Sequence, residues 1–149
     1  VTDIDTLALD QQVCFPLYAA QRAMTAVYRE KLEALGLTYP QYLVMLVLWE
    51  RDGRGVGELC AELALDSGTL SPLLKRLEAA GLLERSRSVA DERRVEIRLT
   101  ADGVALRERA TCIPAEMLSA TGLSLEELTA LRETLRRMTA ALTSAIGQE

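Results

Sequence analysis

The chain has 149 residues, 49% hydrophobic and 26% charged, the composition of a folded globular protein with room for one sizeable core. It has no histidine and three scattered cysteines, Cys14, Cys60 and Cys112, at a net charge of −5. That excludes Ser-His hydrolysis and imidazole acid–base chemistry, removes the commonest metal ligand, and argues against a disulfide framework or a zinc site.

No cofactor, no metal and no enzymatic activity are therefore expected. No apolar run reaches the roughly 20 residues that a membrane helix needs. Val1 to Asp10 carries three aspartates and no basic residue, which does not fit a secretory or transit peptide. The expectation is a cytoplasmic protein with no membrane partner.

Cys14 to Leu35 reads as a helix stopped by Gly36. Thr38 can cap the next helix, with Pro40 tolerated in its first turn, and Tyr42 to Trp49 is apolar on every side, so this helix is central. Asp52-Gly53-Arg54-Gly55 reads as a turn. Val56, Leu59, Cys60 and Leu63 then fall at helical spacing, and so do Leu70, Leu73, Leu74 and Leu77 after a short break. Two short helices with a tight connection predict a helix-turn-helix. Pro72 leaves the start of the second helix open between Asp66 and Ser71.

Val95, Ile97 and Leu99 alternate with Arg94, Glu96 and Arg98, the two-residue period of a half-buried strand. Leu83 to Ser88 is its antiparallel partner, joined through Ala90-Asp91-Glu92, so a β-wing follows the helix-turn-helix. Thr100 opens a long helix through about Leu118. Ser124 and Glu127 form a capping box for the last helix, where Leu128, Leu131, Leu135, Met138, Leu142 and Ala145 make a heptad seam that wants a partner helix. The predicted fold is mainly α with a small wing: a winged helix-turn-helix of about six helices and a two- to three-stranded hairpin. Residues 38–100 would bind DNA. Residues 1–35 and 101–149 would form the dimerisation helices.

The charge is unevenly placed. Ser67 to Arg98 holds seven basic and five acidic residues, +2, which leaves −7 for the rest. On the second short helix Ser71, Pro72, Lys75 and Arg76 lie opposite the leucines, with Ser67 and Thr69 near the leading end, where small hydroxyl residues can approach phosphates and base edges. Lys75 and Arg76 suit phosphate contacts. Arg85 and Arg87 lie on the first wing strand. Arg93 and Arg94 stand at or beside the wing tip, a placement suited to a narrow A·T-rich minor groove. For each residue taken singly, a solvated face is an equal reading.

The run from Leu65 to Glu78 resembles the recognition helix of the MarR family, and Asp91-Glu92-Arg93-Arg94 with Leu99, Thr100 and Gly103 resembles that family's wing signature. The resemblance runs through nearly the whole chain. It implies a homodimer, built from N- and C-terminal helices, that binds pseudo-palindromic double-stranded DNA operators.

Cys60, between Leu59 and Leu63, reads as a small core residue, and Cys112 stays open between packing and chemistry. Cys14 stands at a helix start, with Pro16 in the first turn and Tyr18 one turn on, a place where the helix dipole favours the thiolate form. Val13-Cys14-Phe15 together with Tyr39 to Met45 resembles the organic-hydroperoxide-sensing, OhrR-type branch of the MarR family. That resemblance implies a repressor whose peroxide-reactive thiol is Cys14, hydrogen-bonded across the dimer by Tyr28 and Tyr39. Cys14 and Tyr28 are 14 residues apart on one helix, about 21 Å, so they cannot meet within a subunit.

In two-cysteine members the second thiol would align near Ser119; here Cys112 lies two turns earlier. The resemblance then implies capture of oxidised Cys14 by a low-molecular-weight thiol, with a Cys14–Cys112 bridge as the other route. Two rival readings are a MarR-type regulator controlled by a small phenolic or other ligand, with Cys14 incidental, and a thiol peroxidase. The second lacks a histidine or a nearby arginine to activate the thiol.

Overall fold

The computed structural model describes residues 6–147; Asp3 and Asp5 of the acidic N-terminal stretch lie outside them. Two compact units follow one another along the chain, Val1–Thr111 and Cys112–Glu149.

In the first unit a short 3-10 turn at Leu9–Gln11 leads into α1 (Cys14–Glu33). Then come α2 (Tyr39–Glu50), β1 (Arg54–Gly55), α3 (Val56–Leu63), α4 (Ser67–Ala79), β2 (Leu83–Arg87), β3 (Val95–Leu99) and α5 (Ala101–Ala110). Helix α1 ends two residues before the expected Leu35. Gly36, at φ +69°, turns the chain so that the Leu37 amide donates back to the Leu32 carbonyl. Thr38 accepts from the Gln41 amide, and the Gln41 side chain accepts from the Thr38 amide, a capping box that starts α2.

Helix α2 supplies the middle of the core. Tyr42, Val44, Met45 and Leu48 are buried there with Leu32, Leu59, Leu70, Leu73, Leu74, Leu77, Leu83 and Ile97. The four leucines of α4 are therefore the inner face that their spacing predicts. Asp66 caps α4 by accepting from the Thr69 amide at 2.7 Å, which fixes the start at Ser67. Pro72 stands inside the helix and forgoes the bond to the Gly68 carbonyl. The turn between α3 and α4 passes through Ala64 in the left-handed region, φ 52°.

The sheet order is β1-β3-β2, all antiparallel, with Leu83 opposite Leu99 and Arg87 opposite Val95. The expected turn at 52–55 is in part a strand: Arg54 pairs with Ile97 and Gly55 with Glu96. Its partners lie far along the chain, so no local pattern announces it.

Gly103 is required by a close approach. A Cβ there would lie 2.1 Å from the Leu82 carbonyl oxygen. The same carbonyl accepts from the Thr100 amide, and the Thr100 hydroxyl accepts from the Gly103 amide. The Trp49 indole then donates to the Gly103 carbonyl at 2.8 Å, tying α2 to α5.

The single helix expected from Thr100 through Leu118 is two. Helix α5 ends at Ala110, and in the second unit α6 (Ile113–Thr121) starts with Pro114 in its first turn. A continuous helix would need an amide hydrogen at 114 and room for the proline ring against carbonyl 110. Gly122 closes α6 at φ +69°, and Ser124 with Glu127 forms the expected capping box of α7 (Leu125–Ile146).

Among the described residues α1 buries Leu32 and α7 buries none. Phe15, Leu17, Tyr18 and Met24 on α1, and Leu125, Leu131, Leu142 and Ile146 on α7, are exposed.

Candidate nucleic-acid interface and redox site

Helix α4 carries its buried leucines on one side and Ser67, Gly68, Thr69, Pro72, Lys75 and Arg76 in the open; Ser71 is half-buried. Asp66 holds the Thr69 amide, and its carboxyl is kept below the usual carboxylate range mainly by the Thr69 amide and hydroxyl. Lys75 and Arg76 carry no ion pair among the described residues. Lys75, Glu78, Ala79 and Arg85 line an open groove of about 470 Å³ between α4 and β2. Arg85 is spoken for in part, with Glu78 at 3.4 Å.

The wing loop is held by its own backbone. The Ser88 amide donates to the Arg94 carbonyl, the Arg94 amide to the Asp91 carbonyl, and the Arg93 amide to the Asp91 carboxylate. The Arg87 guanidinium donates to the Glu92 carbonyl at 3.1 Å. Val89 is fully exposed.

The two tip arginines part company here. The Arg93 guanidinium carries no ion pair among the described residues, whereas that of Arg94 reaches back to Glu58 on α3 at 3.3 Å. Glu58 also takes Arg51 at 2.6 Å. Buried Arg54 donates to the Arg51 carbonyl and pairs with Glu62 at 2.9 Å. Asp52 accepts from the Leu99 amide at 2.9 Å, fastening the 52–55 turn to β3. Sequence patterning misses Glu58, Asp52 and Arg54. Each looks like a loop or helix-face charge until its distant partner is known.

Cys14 is the first residue of α1 and is exposed. Val13 gives no side-chain cap, and the first turn of the helix holds no acidic residue. Leu9, Asp10, Gln12, Phe15 and Pro16 line an open, mainly apolar cleft of about 550 Å³ at this helix start. Tyr18 is exposed, with the Arg22 guanidinium 5.6 Å from its ring centre.

Tyr28 and Tyr39 come together at the other end of α1, their ring centres 4.6 Å apart, with Tyr42 at 5.8 Å and 6.5 Å from them. Burial pushes the Tyr28 phenol up to about 12, with the neighbouring phenols of Tyr39 and Tyr42 adding to it, and burial also raises Tyr39. Both stay protonated near neutral pH and keep a hydroxyl to donate. Within one subunit the tyrosine pair and Cys14 occupy opposite ends of α1, as the spacing requires. Cys60 is half-buried and Cys112 exposed, and no disulfide joins any of the three cysteines. No metal-binding cluster is found among the described residues.

A family model described as "Transcriptional regulator SarA/Rot" matches residues 26–109, which span the end of α1, α2 to the wing and most of α5. The organic hydroperoxide resistance transcriptional regulator of Bacillus subtilis is 47% identical over 88% of this chain and 89% of its own length. The chain belongs to the SarA/Rot–MarR family of winged-helix transcriptional regulators.

Another relative, the HTH-type transcriptional regulator TtmR of Methylorubrum extorquens, is 48% identical over 96% of this chain and 73% of its own. AbfR of Staphylococcus epidermidis, solved in a reduced, DNA-bound form, superposes with a TM-score of 0.72 at 35% identity, covering 91% of this chain and 94% of AbfR. The three-stranded sheet and the α3–α4 pair are thus the winged helix that defines this family. None of its described helices is long and apolar enough to cross a membrane.

Proposed function

We propose that this family member is a dimeric, operator-binding repressor that releases DNA when an organic hydroperoxide oxidises Cys14. The observation that carries the reading is an exposed cysteine at the uncapped start of α1, in a chain 47% identical to a hydroperoxide-resistance regulator.

The exposed apolar residues of α1 and α7 support dimerisation, because a lone subunit would leave two long helices with one buried residue between them. An antiparallel partner would bring Cys14 to Tyr28 and Tyr39 of the partner subunit. In DNA binding, α4 enters the major groove with Ser67 and Thr69 at its leading end and Ser71 behind them, Lys75 and Arg76 contact phosphates, and Arg93 reaches the minor groove.

In the chemical step the Cys14 thiolate attacks the distal peroxide oxygen. The S–O bond forms as the O–O bond breaks, sulfur is oxidised to the sulfenic acid, and the alkoxide leaves as an alcohol after taking a proton. A small cellular thiol then condenses with the sulfenic acid, releasing water and leaving a mixed disulfide. The hydroxyls of Tyr28 and Tyr39 of the partner subunit hold the reduced sulfur. Oxidation replaces that arrangement and favours the conformation that does not bind DNA.

The test is operator affinity of wild type and Cys14→Ser before and after cumene hydroperoxide. Wild type is expected to release DNA and Cys14→Ser to keep it. Release by Cys14→Ser would reject the redox reading in favour of a ligand-controlled regulator.

A further inference from the structure

We propose that Glu58 is a specificity-setting residue whose carboxylate withholds Arg94 and Arg51 from non-specific contact with DNA phosphates. The inference rests on the DNA-binding reading above. Both carboxylate oxygens are taken, Oε2 by Arg51 at 2.6 Å and Oε1 by Arg94 at 3.3 Å.

Gly55 lies beside the pair, where a Cβ would be in ordinary contact with the Arg94 Nη2 at 3.5 Å and the Glu58 Oε1 at 3.8 Å. The main chain of Arg94 is itself fixed, its amide on the Asp91 carbonyl and its carbonyl on the Ser88 amide. The side chain therefore departs from a set point and returns to α3, while Arg93, the residue before it, carries no ion pair among the described residues.

The pair is solvated, with Arg94 61% and Glu58 37% exposed, so it adds little to folding. Its consequence falls on the charge that a polyanion meets. An arginine that neutralises a phosphate releases counterions and steepens the salt dependence of binding; one already matched by a carboxylate does less. Non-specific affinity is all phosphate contact, whereas operator affinity also draws on base contacts. Glu58 thus lowers the first more than the second and widens the ratio between them.

The experiment measures binding of the full-length protein to an operator duplex and to a random-sequence duplex across a salt series. Glu58→Gln removes the charge with little change of shape, and far-ultraviolet circular dichroism checks its fold. On random DNA its plot of log affinity against log salt is expected to steepen by about 1, with affinity up several-fold at low salt and a smaller gain on the operator. Glu58→Gln/Arg94→Gln should lose at least half of the added slope.

An unchanged slope in Glu58→Gln overturns the proposal, and so does an added slope that survives the second substitution. A parallel loss on both duplexes also overturns it, making Glu58 a wing anchor instead. Wild type that binds neither duplex would bring down the DNA-binding reading itself, and the inference with it.

Discussion

The rings of Tyr28 and Tyr39 stand 4.6 Å apart across the chain reversal at Gly36, one at the end of α1 and the other opening α2. Their meeting turns two helix-face aromatics into one half-buried phenol cluster with Tyr42. An alkaline signature follows. Unfolded, Tyr28 titrates near 10; folded, near 12. As pH rises the unfolded chain gives up its proton first, so the stability from neutral Tyr28 is whole below pH 10 and drains away towards pH 12. Tyr28→Phe should flatten that alkaline limb by on the order of 1 kcal/mol, discounted for partial exposure. Urea midpoints at a series of alkaline pH values read it; an equally steep limb in the variant would refute it.

Gly103→Ala is expected to cost about 2–3 kcal/mol, because the new methyl meets a backbone carbonyl and has no flexible side chain to displace. Gly57→Ala is the contrast. It meets nothing within 4 Å at the start of α3 and should be neutral or slightly stabilising. Thermal unfolding of both variants separates steric cost from a general intolerance of substitution.

On the DNA side, Arg93→Ala should lower operator affinity by about tenfold, with the loss shrinking when the A·T pairs under the wing become G·C. Lys75→Gln should weaken binding to all sequences alike and make the salt slope shallower by about 1. Titrations on paired operators distinguish them. A sequence-independent loss in Arg93→Ala would remove it from minor-groove reading.

Wild type treated with peroxide in the presence of a small thiol is expected to run as a monomer on a non-reducing denaturing gel, with Cys14 carrying that thiol as a mixed disulfide. A covalent dimer that disappears in Cys112→Ser would instead assign the second thiol to Cys112. Intact mass of the treated protein gives the same answer independently.

Much of the fold is legible in the chain because its signals act over a few residues. The capping boxes at Thr38 and Ser124, the leucines of α4 and the alternation from Val95 to Leu99 each lie within one or two turns of what they specify. Pro114 carries a local signal too, yet a continuous helix hides it unless the missing amide is counted. Strand β1 is different. Two residues have no period, and only Ile97 and Glu96, brought back by the wing, make Arg54 and Gly55 a strand.

The same division runs through the candidate site residues. Local pattern and composition place the cysteine at a helix start, the basic residues on α4 and the wing, and Tyr28 out of its reach along α1. Which cations are occupied is a matter of where the chain returns. Arg94 is matched by Glu58 and Arg85 by Glu78, while Arg93 carries no ion pair among the described residues. Capping and periodicity are set by neighbours a few bonds away. A Coulombic pair needs only a few ångströms of separation in space, which the fold alone supplies.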